Sequence, residues 1–160
     1  MASISENVLT TLSELGFSIS PRPEEKMPIL PRDITELPDE DLMDLFVHYT
    51  QWNDHLAGAY AIAVVNEREA ESLLKGTEAE LLLTNWTGAK GDRITYIKAQ
   101  IQASDKIKKL VHDLDTKYAI RKLIETRTQN IERDANVVSR ELTRRTSDGG
   151  LRSRQRKFTV

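Results

Sequence analysis

The sequence contains no cysteine, which excludes a disulfide framework, a thiolate zinc site and a cysteine nucleophile. Its five prolines, Pro21, Pro23, Pro28, Pro31 and Pro38, all lie early, so nothing after Pro38 is barred from helix by proline. No apolar run approaches the roughly eighteen residues a membrane span needs, and the amino terminus lacks a basic region followed by an apolar core. Neither a span nor a secretion signal is expected, and the expected setting is cytoplasmic. Histidine is scarce as well. His48 and His55 stand two turns apart, too far for the i, i+4 pairing that puts two imidazoles on one metal, and His112 is remote in sequence. With no G-x-S-x-G elbow and no dinucleotide fingerprint, the chain is expected to be no enzyme and to hold neither metal nor cofactor.

What is present is helical periodicity. From Asp39 to Trp86, Leu42, Leu45, Tyr49, Trp52, Leu56, Ala59, Ala63, Asn66, Ala70, Leu73 and Thr77 recur by alternating threes and fours, the pattern of a coiled-coil seam. Phe46, Tyr60 and Val64 broaden the stripe. A helix of that length rises about 70 Å and needs a second long helix to lie against. The second half supplies one: Ile94, Ile97 and Ile101 open it, and Ser104-Asp105 can interrupt and re-cap it. Ile107, Leu110, Leu114, Tyr118, Ile124, Ile131, Ala135, Val138 and Leu142 then carry its face. Lys117 and Arg121 fall near the same face, so that turn packs loosely or its charged ends reach for water.

The expected fold is all-α, a long antiparallel coiled-coil-like helical hairpin over 39–146. A short amphipathic helix (1–16) and a Pro-rich extended arm (17–38) precede it, and a basic tail (147–160) follows. Ser3 or Ser5 can cap the short helix, Ile4, Val8, Leu12 and Leu15 line one face, and Gly16 suits its left-handed end. A helix so short needs a surface to dock on, in its own bundle, in a neighbouring copy or in another protein. The arm carries Met27, Ile29, Leu30, Ile34 and Leu37, and is expected to lie back over its own helices. Asp39, Glu40, Asp41 and Asp44 complement the positive end of the next helix, which explains them without a metal. Asn66 either fixes the register of the seam or faces solvent at its edge. Thr87-Gly88-Ala89-Lys90-Gly91-Asp92 reads as the turn between the halves, closed off by Trp86. The spacing of a phosphate-binding loop is absent from it. Ser147-Asp148-Gly149-Gly150 is expected to end the last helix, leaving Leu151–Val160 without order until a partner binds.

Charge is divided unevenly. Residues 1–89 hold 5 Lys/Arg against 16 Asp/Glu, and residues 90–160 hold 18 against 9, so the halves attract as an antiparallel pair. Helix pairing does not account for the final cluster of Arg140, Arg144, Arg145, Arg152, Arg154, Arg156 and Lys157. Such a cluster suits phosphate backbone contacts, with Phe158 available to stack on a base. Exposed apolar residues on a two-helix hairpin also point to a homo-oligomer larger than a dimer. Its expected interface is Phe46, Tyr49, Trp52, Leu56, Tyr60 and Val64.

Over roughly residues 40–145 the chain resembles the bacteriophage UvsY-type recombination mediators. The likeness rests on Tyr49-x-x-Trp52, the small-residue seam behind it, the glycine-containing turn, and the last helix through Glu132, Ser139 and Arg140 to Arg144-Arg145. It implies a closed homo-oligomer in the bacterial host cytoplasm that binds single-stranded DNA. It further implies help in loading a RecA-like recombinase onto strands covered by single-strand-binding protein, with Arg140, Arg144 and Arg145 on the strand. The apolar arm and the tail fall outside the likeness, and the amino-terminal half is acidic for a DNA binder. A competing expectation is a virion structural or assembly protein of capsid or neck, whose arm threads between neighbouring subunits.

Overall fold

The computed structural model describes residues 3–86 and 94–157, with side chains to Ser147. Four helices follow one another: α1 (Ile4–Glu14), α2 (Asp39–Asn85), α3 (Ile94–Ala103) and α4 (Asp105–Lys157). No strand occurs among the described residues, and α2 and α4 pack closely as a hairpin. The turn expected at Thr87–Asp92 lies outside the described residues. The chain divides into two compact units, one of Met1–Ser18 with Ala59–Ile124, the other of Ile19–Gly58 with Glu125–Val160.

The helix ends follow local chemistry. Ser3 caps α1 through a reciprocal box in which its hydroxyl accepts from Glu6 N and Glu6 accepts from Ser3 N. At the other end Gly16 takes φ +80°, Phe17 N donates to Leu12 O at 2.9 Å and Gly16 N to Ser13 O at 3.0 Å. This is the left-handed termination a glycine permits. Ser104 separates α3 from α4: its hydroxyl reaches Ile101 O at 2.6 Å and accepts from Ile107 N at 3.4 Å, restarting the helix. The last helix does not stop at Ser147–Gly150; α4 continues to Lys157. Glycine inside a helix costs only about 1 kcal/mol, and Leu151, Arg152, Arg154, Gln155, Arg156 and Lys157 are good helix formers.

Along α2 the seam resolves into two rows of unlike fate. Leu42, Tyr49, Leu56, Ala63, Ala70 and Thr77, each seven residues from the last, are all buried. The companion row fades: Trp52 is buried, Leu45, Ala59 and Asn66 are half-covered, and Leu73 is exposed. A straight helix has 3.6 residues per turn, so a 3.5-residue pattern drifts around it and one row leaves the interface.

In the unit containing α3, the lost row is replaced by Leu74, Leu81 and Leu82. These pack with Leu110 and Val111 against a core of Ile97, Ile101 and Ile107. Trp86 does not close this end; it is exposed, as is Tyr118. Lys117 reaches Asp113 at 3.0 Å, and Arg121 pairs with Glu67 and lies 5.2 Å from the Tyr118 ring centre. Each fully buried aliphatic side chain stabilises by about 1.5–3 kcal/mol, so Ile107 is among the anchors here.

In the other unit α2 buries Leu42, Tyr49, Trp52 and Leu56, and α4 buries Ile131 and Val138. The arm runs back along α2. Ile19 packs over Gly58, Ser20 O lies 3.1 Å from His55 Nδ1, Arg22 stands 5.8 Å from the Trp52 ring centre, and Glu25 lies 3.1 Å from His48 Nε2. Prolines keep this segment extended, so its carbonyls are not consumed by a helix.

A methyl added at Gly58 would run into Ile19 Cγ2, whereas one at Gly76 meets nothing within 4 Å. Gly76→Ala should therefore raise stability by about 0.5–1 kcal/mol. Gly58→Ala should gain less or lose, because the β-branched Ile19 is stiff and must move. Thermal unfolding of the two variants beside the parent checks this contrast.

Candidate nucleic-acid interface

The basic cluster at the end of α4 divides according to the helix face each residue occupies. Continuing the α4 row by sevens from half-buried Ile124 through buried Ile131 and Val138 arrives at Arg145. Arg145 is therefore a seam residue, and its side chain is only 20% exposed. All five of its N–H groups are used inside the chain. Nε donates to Glu141 Oε1 at 2.7 Å; Nη1 donates to Leu37 O at 2.7 Å and to Asp39 Oδ1 at 2.6 Å. Nη2 donates to Thr35 O at 2.9 Å and to Ile34 O at 3.3 Å. A guanidinium has five donors and no acceptor, so none remains for a phosphate.

Glu141 is the buried carboxylate of the group, 7% exposed. Besides Arg145 it accepts from Arg144 Nε at 2.8 Å and Arg144 Nη2 at 2.7 Å. A buried carboxylate is tolerated only when paired in this way. The Arg144 hydrogen bonds, then that from Arg145, hold its pKa down at about 2 against the desolvation that raises it. Arg144 remains 56% exposed, and Arg140, one turn earlier, is exposed. The side chains of Arg152, Arg154, Arg156 and Lys157 lie outside the described residues, although their backbone continues α4.

The expected interface residues divide too. Tyr49, Trp52 and Leu56 are buried in the chain's own seam, so they are hairpin core and are not available to a second copy as first read. Phe46, Tyr60 and Val64 are half-buried beside it. The core here holds an anomaly: Tyr49 Oη, Trp52 Nε1 and Asn53 Oδ1 are buried without a hydrogen-bond partner. Burial, and secondarily the charge of Asp134, push the Tyr49 hydroxyl up to about 12. Among the described residues no three His, Asp or Glu side chains gather as a metal site, and no helix is long and apolar enough to cross a membrane.

Glu141 and Asp39 were not singled out from the sequence as partners of the arginines. The signal was there: Glu141 precedes Arg144 and Arg145 by three and four, and the heptad row ends on Arg145. No family model, curated protein or solved structure matches the chain.

Because the Glu141 carboxyl titrates near 2 when folded and near its ordinary 4.5 when unfolded, its contribution is complete above about pH 4.5. That contribution is lost as the pH falls towards 2. Glu141→Gln should unfold at lower denaturant at pH 7, and the gap from the parent should narrow between pH 4.5 and 2. Urea titrations across that range provide the measurement.

Proposed function

We propose that this is a non-enzymatic, self-associating protein that binds single-stranded DNA through the basic carboxyl end of α4, as the likeness to recombination mediators implies. The observation that carries the reading is the pair Arg140 and Arg144, exposed one turn apart, with Arg152, Arg154, Arg156 and Lys157 following along the same helix backbone. Positive groups repeated along one helix suit a phosphate backbone without reading bases. Arg145 leaves the strand-binding set, since its donors are committed to the arm, Asp39 and Glu141. In a self-associated state the cluster repeats, and weak contacts sum to useful avidity. On this reading the partners are single-stranded DNA, a RecA-like recombinase and single-strand-binding protein. The competing reading, a virion assembly protein, asks the arm to thread between neighbours. It draws less support, because the arm lies along its own α2.

Strand binding should be nearly independent of sequence, with a log–log salt slope of about −0.7 per phosphate neutralised. Arg140→Ala should weaken it several-fold and leave helicity unchanged. Fluorescence titration of a labelled oligonucleotide at two salt concentrations tests this, and absence of binding at low salt would remove the mediator reading.

A further inference from the structure

Residues 140–145 of α4 read Arg140-Glu141-Leu142-Thr143-Arg144-Arg145. On a helix the glutamate lies beside the residues three and four further on and turns away from its immediate neighbour. Arg140 therefore stands apart from it. It is exposed, and no carboxylate among the described residues pairs with it.

Arg144 is exposed too, yet it is held. Its Nε donates to Glu141 Oε2 at 2.8 Å and its Nη2 to Glu141 Oε1 at 2.7 Å, the two-point match of guanidinium to carboxylate. An ion pair between two mobile surface side chains has little effect. This pair differs, because its acidic partner is buried at 7% exposure and is also fixed by Arg145 Nε at 2.7 Å. The bonds from Arg144 are the foremost cause of the depressed Glu141 pKa, so the carboxylate is coupled to this arginine above all. A phosphate that drew Arg144 away would leave Glu141 with the single Arg145 donor, and an under-paired buried charge is costly.

We propose that Glu141 restrains strand binding by holding Arg144, so that Arg140 meets phosphate at full charge and Arg144 only in part. The proposal rests on the strand-binding reading above and adds the residue that sets its strength. The restraint acts on Arg144 and not on Arg145. Four of the five Arg145 hydrogen bonds go to Ile34, Thr35, Leu37 and Asp39, and these persist when Glu141 loses its charge. Glutamine at 141 keeps one carbonyl acceptor and carries no charge, so it frees Arg144 while filling the same space.

The test is fluorescence titration of a labelled oligothymidine with the full-length parent, Arg140→Ala, Arg144→Ala, Glu141→Gln and the double variant Glu141→Gln/Arg144→Ala, at pH 7 over several salt concentrations. Glu141→Gln should bind several-fold more tightly than the parent. Its log–log salt slope should be steeper, by up to about 0.7 for one further phosphate neutralised. The gain should vanish in the Arg144→Ala background, the coupling that a double-mutant cycle isolates. Arg144→Ala alone should cost clearly less affinity than Arg140→Ala. Circular dichroism checks that helicity is parental; if Glu141→Gln lowers it, the comparison of Arg140→Ala with Arg144→Ala decides. Unchanged or weaker binding by a helical Glu141→Gln would overturn the proposal. So would a gain that survives without Arg144, which would mark simple removal of a negative charge, or an Arg144→Ala loss as large as that of Arg140→Ala. In each of these cases the parent still binds, so the strand-binding reading stands. A parent that fails to bind at low salt removes both.

Discussion

A mostly buried guanidinium needs acceptors for five N–H groups, and a helix pair cannot supply them from its own backbone, whose carbonyls are consumed by the i to i−4 ladder. At Arg145 the missing acceptors come from Ile34, Thr35 and Leu37 of an arm that proline keeps out of helix, together with Asp39 and Glu141. The requirement explains several features together. It gives the extended arm a physical role, ties the start of α2 to the far end of α4, and accounts for a buried carboxylate, Glu141, that would be costly unpaired. The same row that buries Ile131 and Val138 by apolar contact ends on a charge satisfied by hydrogen bonds.

The two units solve different problems. The one with the arm covers its seam from within the chain and exposes few large apolar side chains. The one with α1 and α3 leaves many exposed and keeps a groove open. The arginine-rich end of α4 and most of the exposed large apolar side chains thus belong to different units, although Lys and Arg as such are shared between both.

Much of the fold was legible because helical periodicity and cap chemistry are local. Gly16 ending α1, the start of α2 at Asp39 and the break at Ser104 stand as read, and of the two serines that could cap α1 it is Ser3 that does. Leu73 escaped because a threes-and-fours pattern cannot reveal which row drifts off a straight helix. The continuation of α4 past Gly149 and Gly150 escaped because glycine's modest helix penalty was read as a stop. The basic cluster was legible as composition and misjudged in part as geometry. Arg145 looks like its neighbours until it is counted by sevens from Ile131, and four of the five acceptors it meets lie more than a hundred residues away.

The central claim is that Arg145 holds the chain together and does not meet the strand. Arg145→Lys tests it most directly, because lysine keeps the charge but lacks the planar five-donor fork. Melting temperature and oligonucleotide affinity would be measured on the same sample, at a salt concentration where the parent binds. The account predicts a melting point lower by several degrees with affinity unchanged. Affinity that falls while the melting point stays at the parental value would contradict it.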